Sequence, residues 1–124
     1  MLDYDPTFNP PAPVVTVQIN NPFTGANVRC RAQIDTGSFM SAIPTAVAET
    51  LGLRPHSRVR ARSVDRASIE LSTYRVNLIV EGQVIVNQEV GMLERGDMLL
   101  GRDVLQHFIL TLNGKEGKFD LVDP

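Results

Sequence analysis

The sequence predicts an all-β domain, a small closed barrel carrying one or two short helices. Three observations point there. Apolar and polar residues alternate through most of the chain, turn-forming residues interrupt the alternation at intervals of about ten residues, and helical start and stop signals bound only short stretches. With 124 residues, 43% of them apolar, the chain has material for one real core and little room for a second. Residues 1–13 are expected to form a proline-rich extended arm and residues 14–124 a single domain.

The arm holds Pro6, Pro10, Pro11 and Pro13, which deny a helix its hydrogen bonds. From Val14 to Asn20 the pattern is a half-buried strand, with Val15, Val17 and Ile19 on one face and Thr16 and Gln18 on the other. Asn21-Pro22-Phe23-Thr24-Gly25 supplies a turn. In the run that follows, Val28, Cys30, Ala32 and Ile34 face inward, so the two segments form a hairpin that ends at Asp35. Pro44 to Leu51 reads as a short helix, with proline in its first turn and Gly52 as its C-terminal cap. Strands resume at Val59. Ile69 and Leu71 share one phase, while Tyr74, Val76, Leu78 and Val80 share the opposite one, which places a bulge or bend near Ser72-Thr73. Glu81-Gly82 turns the chain into a strand over Val84 to Val90. Met98-Leu99-Leu100-Gly101 is a short buried strand, and Arg102 to His107 holds one or two helical turns. Asn113-Gly114 joins Phe108–Leu112 to Lys118–Leu121 as a final hairpin.

Composition excludes several functions. The net charge of −2 is spread along the chain, without the basic clustering of a nucleic-acid binder or the Lys/Arg-rich face of a membrane-surface helix. A single cysteine, Cys30, excludes an intrachain disulfide and a cysteine-based zinc site, and its place in an apolar phase makes it a buried, inert thiol. His56 and His107 lack metal-ligand spacing. Arg95-Gly96-Asp97 spells an adhesion tripeptide and is read as a turn. Without a basic-then-apolar leader or a bilayer-length apolar run, the expected setting is soluble and cytoplasmic.

Asp35-Thr36-Gly37-Ser38 carries the chemistry. A given tripeptide arises by chance in about one or two of every hundred chains this long, so Asp-Thr-Gly alone is weak. Its place at the end of an alternating strand strengthens it: Asp35 emerges from the core on a loop, Gly37 permits tight backbone beside the carboxylate, and Ser38 can donate to it. Phe39, Met40, Ala42 and Ile43 are then expected to re-enter apolar surroundings. The bland alternative is that Asp35 merely caps a turn. A lone carboxylate hydrolyses peptides poorly, whereas two that share a proton supply a base and an acid together. No other aspartate is followed by Thr-Gly or Ser-Gly, and a two-fold homodimer would bring a second Asp35.

Two blocks, Ala32 to Pro44 and Met98-Leu99-Leu100-Gly101-Arg102-Asp103-Val104-Leu105, together resemble the retropepsin-like (retroviral-type) aspartic peptidases. With the β pattern between them, the resemblance spans about residues 14–122. It implies a retropepsin (acid protease) fold acting as a homodimer on peptide or protein substrates, with no metal or organic cofactor, no nucleic acid and no membrane. Asp35 would be catalytic and Thr36 would bond across the dimer axis, while Gly37 and Ser38 support the carboxylates. Leu100-Gly101 would pack behind the loop, and Arg102 would start the following helix, either in a dimer role or in a simple salt bridge with Asp103. A hairpin flap would touch substrate through Val64, Asp65, Arg66 and Ala67. Two departures stand out. Arg60 to Tyr74 contains no glycine, where family flaps usually carry one, and positions 39–43 lack the acid that pairs with the arginine in many retroviral members. The glycine-free flap keeps open a second function, a non-catalytic dimerisation or peptide-binding module.

Overall fold

A computed structural model describes residues 1–62 and 68–124. Along the chain run β1 (Leu2–Asp3), β2 (Val14–Asn20), β3 (Asn27–Ile34), β4 (Ala42–Pro44), α1 (Thr45–Thr50), β5 (Ser57–Arg62), β6 (Ser68–Val80), β7 (Gln83–Leu93), β8 (Met98–Leu100), α2 (Arg102–Leu105), β9 (Ile109–Asn113) and β10 (Lys118–Val122). The alternation in β2 and β3 does what its period requires. Val17, Ile19 and Ala32 are fully buried, and the strands pair antiparallel from Val14↔Gln33 to Asn20↔Asn27. Strand order β2-β3-β8-β4-β7-β6, with β6 pairing back onto β2, closes a barrel and so removes the open edges that β2 and β6 would otherwise present. Val76, Leu78, Val80, Met98, Leu100, Ile43 and Phe119 fill it. The fold is all-β with two short helices, as the patterning predicted.

Two connections within the barrel follow local chemistry. Pro44 ends β4 in extended conformation and precedes α1, whose C-terminal end turns off at Gly52 with φ +62. Glu81 and Gly82 both have positive φ (46° and 80°), the geometry that lets a two-residue turn match the twist of β6 and β7. Thr45–Thr50 lies within the expected helix, one residue short at each end.

The bulge lies elsewhere than expected. β6 is continuous through Ser72-Thr73, paired in register with β5 up to Ser57↔Thr73. The phase change marks an exchange of neighbours: β5 flanks the strand to Thr73, and β7 pairs with it from Tyr74 onward. Thr73 and Tyr74 point to opposite faces and both are buried, so the strand is covered on its two sides at the crossover. The register shift falls between Val76↔Gln88 and Leu78↔Ile85, where β7 carries the extra residue and Asn87 adopts φ 56. In the last hairpin, Asn113 pairs with Lys118, so the connection is residues 114–117 and the left-handed residue is Gly117 (φ +65).

The N-terminal arm contains no helix. Its β1 adds to β10 in a three-stranded sheet ordered β1-β10-β9, fastened by Lys118 Nζ–Asp3 (2.7 Å) and by an Arg31–Asp5 ion pair. Tyr4 packs against Phe119 with ring centroids 6.0 Å apart. Among the described residues, no helix is long and apolar enough to cross a membrane.

Candidate active site

Asp35 follows the last residue of β3, and the parallel pairing of β3 with β8 sets its position. Ile34 lies beside Leu100, and the Asp35 N–H donates to the Leu100 carbonyl at 2.9 Å, one step beyond the ladder. The chain then reverses: Ser38 N–H donates to the Asp35 carbonyl (3.2 Å), and Gly37 N–H to Asp35 Oδ1 (3.0 Å). A Cβ on Gly37 would sit 3.2 Å from that same oxygen, so glycine here leaves room for the carboxylate. Asp35 is half-buried, and Thr36 and Gly37 are exposed at the loop tip.

The second block braces this loop from behind. Gly101 packs so closely that an added Cβ would meet the Ser38 carbonyl oxygen at 2.8 Å and the Met40 carbonyl carbon at 2.9 Å. Arg102 closes the contact twice: its N–H donates to the Ser38 carbonyl (2.8 Å) and its Nη1 to the Thr36 carbonyl (3.0 Å). That carbonyl replaces the acid missing from positions 39–43. Arg102 and Asp103 form no salt bridge with each other; each is turned toward the loop.

Ser41 and Asp103 are the residues that sequence reasoning missed. Ser41 is fully buried beneath the loop. Its hydroxyl donates to Asp103 Oδ1 (2.7 Å) and accepts from Gly101 N–H (2.8 Å), while its own N–H reaches both Asp103 oxygens at 3.0 Å. Gln88 Nε2 adds a further donor to Asp103 at 3.1 Å, and Gly91 N–H takes the Ser41 carbonyl at 2.9 Å. A half-buried carboxylate supplied with this many donors stays put. The one available signal was a lone serine inside the apolar run Phe39 to Ile43.

Two expectations about the loop need correction. The Ser38 hydroxyl donates to the Met40 carbonyl (2.7 Å), closing the turn instead of serving the Asp35 carboxylate. Ala42 and Ile43 are buried as expected, but Phe39 is 61% exposed beside the Asp35 turn, because the chain does not regain the barrel until β4. The flap residues Val64, Asp65, Arg66 and Ala67 lie outside the described residues. β5 and β6, which lead to and from them, form an antiparallel hairpin.

The rest of the chemistry-bearing inventory is quiet. Burial pushes the Cys30 thiol above its ordinary value, opposed by a backbone hydrogen bond at Met98 and reinforced by the Asp97 charge. Among the described residues, no three His, Cys, Asp or Glu side chains are grouped to hold a metal ion.

The aspartyl protease family model matches residues 15–104, a span that contains both the Asp35 loop and the block that braces it. Among solved structures, a retropepsin-like aspartic protease from Rickettsia conorii superposes with a TM-score of 0.62 at 16% identity, covering 91% of this chain and 84% of that one. The EIAV protease, solved with an inhibitor, gives 0.58 at 22% identity over 77% of this chain and 86% of its own. The Simian foamy virus (mac) protease gives 0.58 at 18% identity, over 76% and 92% respectively. At these identities the likeness speaks for the fold alone. No curated protein matches the chain significantly by sequence.

Proposed function

The chain belongs to the aspartyl protease family, with a retropepsin-like fold, and on that premise we propose that it is an endopeptidase whose site forms from the Asp35 carboxylates of two identical subunits. The observation that carries this reading is the bracing of Asp35. The loop that carries the half-buried Asp35 is held from behind by backbone hydrogen bonds to Leu100 (2.9 Å) and from Arg102 (2.8 Å), and by Gly101, which packs too closely for a Cβ. Such rigidity is costly to build for a residue that only caps a turn.

In the proposed dimer, two carboxylates about 3 Å apart cannot both ionise, so they share a proton and titrate as a pair. The ionised one takes a proton from water as its oxygen attacks the scissile carbonyl carbon. The protonated one donates to the carbonyl oxygen. Collapse of the resulting diol then breaks the C–N bond: the carboxyl that took water's proton gives it to the leaving nitrogen, and a diol hydroxyl returns its proton to the other carboxylate. Gly37 N–H, bonded to Asp35 Oδ1, holds the carboxylate in its orientation. Thr36, exposed at the tip, faces the axis and bonds to its partner loop. The β5–β6 hairpin covers an extended peptide that pairs through its backbone. No cofactor takes part.

Purified protein is expected to cleave a denatured protein substrate between pH 3 and 8, and Asp35→Asn to abolish cleavage while leaving the fold intact. Cleavage that survives the substitution sinks the assignment. The glycine-free segment Arg60 to Tyr74 favours a second reading, a dimeric peptide-binding module. Tight peptide binding without turnover across that pH range would select it.

A further inference from the structure

A cavity of about 710 Å³ shares no residue with the Asp35 loop or the block behind it. It opens between the β2–β3 turn, the segment that follows α1, and the β6–β7 pair at its bulge. We propose that this cavity is a binding site for a small carboxylate with an apolar body, either a free acid or the C-terminal end of a peptide. The proposal is independent of the peptidase reading.

The volume lies within the range of small-ligand sites, about 300–1,000 Å³. Part of the lining is apolar: Phe23, Leu53 and Pro55. Phe23 is 92% exposed, yet the turn that carries it is not loose. Buried Asn21 accepts from the N–H groups of Phe23 (2.9 Å) and Thr24 (3.3 Å), and donates to the Leu51 carbonyl at 2.9 Å. The aromatic ring is therefore presented on a fixed support, against a segment tied to the same asparagine.

The charge in the lining is of one sign. Arg54 and Arg75 line the cavity and no aspartate or glutamate does. Arg75 Nη1 donates to the Asn87 carbonyl at 2.9 Å, which sets the plane of the guanidinium, and its buried Nε has no protein partner. Glu89 pairs with Arg75 across the strands, and one of its carboxylate oxygens accepts from the Thr73 hydroxyl at 2.6 Å. The positive φ at Asn87, at the bulge, directs that carbonyl. A planar cation anchored at one end, a second arginine and a lining without an acid fit a carboxylate; the aromatic and proline surface fits the apolar remainder.

A titration of the full chain followed residue by residue by NMR tests this. The probes are 3-phenylpropionate, its amide, acetyl-Ala-Phe and inorganic phosphate. 3-Phenylpropionate or acetyl-Ala-Phe is expected to shift Phe23, Leu53, His56 and Asn87, and whichever binds more tightly identifies the source of the carboxylate. The carboxylate should bind at least about tenfold tighter than the amide, and Arg75→Met should remove that preference. Phe23→Ser, at an exposed position that cannot unfold the barrel, should weaken binding severalfold. Equal binding of acid and amide overturns the proposal. So does phosphate binding more tightly than 3-phenylpropionate, or shifts that leave these residues unmoved.

Discussion

Replacing Gly101 by alanine puts a methyl group 2.8 Å from the Ser38 carbonyl oxygen and 2.9 Å from the Met40 carbonyl carbon, both of them backbone atoms that cannot rotate aside. Ordinary contact begins near 3.4 Å, so the loop has to withdraw by about 0.6 Å. Withdrawal stretches three hydrogen bonds at once: Arg102 N–H to the Ser38 carbonyl (2.8 Å), Asp35 N–H to the Leu100 carbonyl (2.9 Å) and Gly101 N–H to Ser41 Oγ (2.8 Å). Overpacking of this kind costs about 1–3 kcal/mol, and weakened bonds add to it, for a loss of about 2–4 kcal/mol. For a domain of this size that is a Tm lower by about 10 °C. Peptidase activity, measured well below the new Tm, should fall by about tenfold or more, because reaction rates are steep in the position of the reacting groups. Gly114→Ala is the control: a Cβ there meets nothing within 4 Å, and stability should stay within about 0.5 kcal/mol. A Gly101→Ala protein with unchanged Tm and unchanged rate would refute the idea that this block braces the loop.

Ser41→Ala removes a donor to Asp103 and strands the buried Gly101 N–H, so urea unfolding should report a loss of about 3 kcal/mol. Because Ser41 and Asp103 share a bond, Ser41→Ala combined with Asp103→Asn should cost less than the sum of the two; strict additivity would show that the hydrogen bond carries no energy. A thiol with a raised pKa carries less thiolate at any given pH, so native Cys30 should react with a disulfide reagent at pH 8 at least about tenfold more slowly than the same thiol in guanidinium. Equal rates in the two states would contradict its burial.

What the sequence made legible followed from its periodicity. β2 and β3 bury one face, so a slip of one residue would have exposed Val17, Ile19 and Ala32 together, and the alternation left a single register. The flip of phase at Ser72-Thr73 was real but ambiguous, because a bulge and an exchange of neighbouring strands leave the same trace in one strand's sequence. The actual bulge sits on β7, where exposed Val84 and Val86 and the polar run at 87–89 hide its position. The loop that carries Asp35 could be read because its residues are contiguous. The network beneath it could not: Ser41 and Asp103 meet across 62 positions of chain, and nothing local to either one names the other as its partner. Phe39 was misplaced for the opposite reason, since an apolar residue next to an apolar run looks buried until the path of the loop is known.

The central claim is that Asp35 works only as one of two. Mixing subunits tests it most directly: Asp35→Asn protein is added to a fixed amount of wild type, time is allowed for exchange, and cleavage is measured. If the site is shared, an equal amount of the variant captures half of the wild-type subunits into mixed dimers, and activity falls to about half, declining further with excess. Activity that stays constant as the variant is added would place a complete site within one chain and contradict the account.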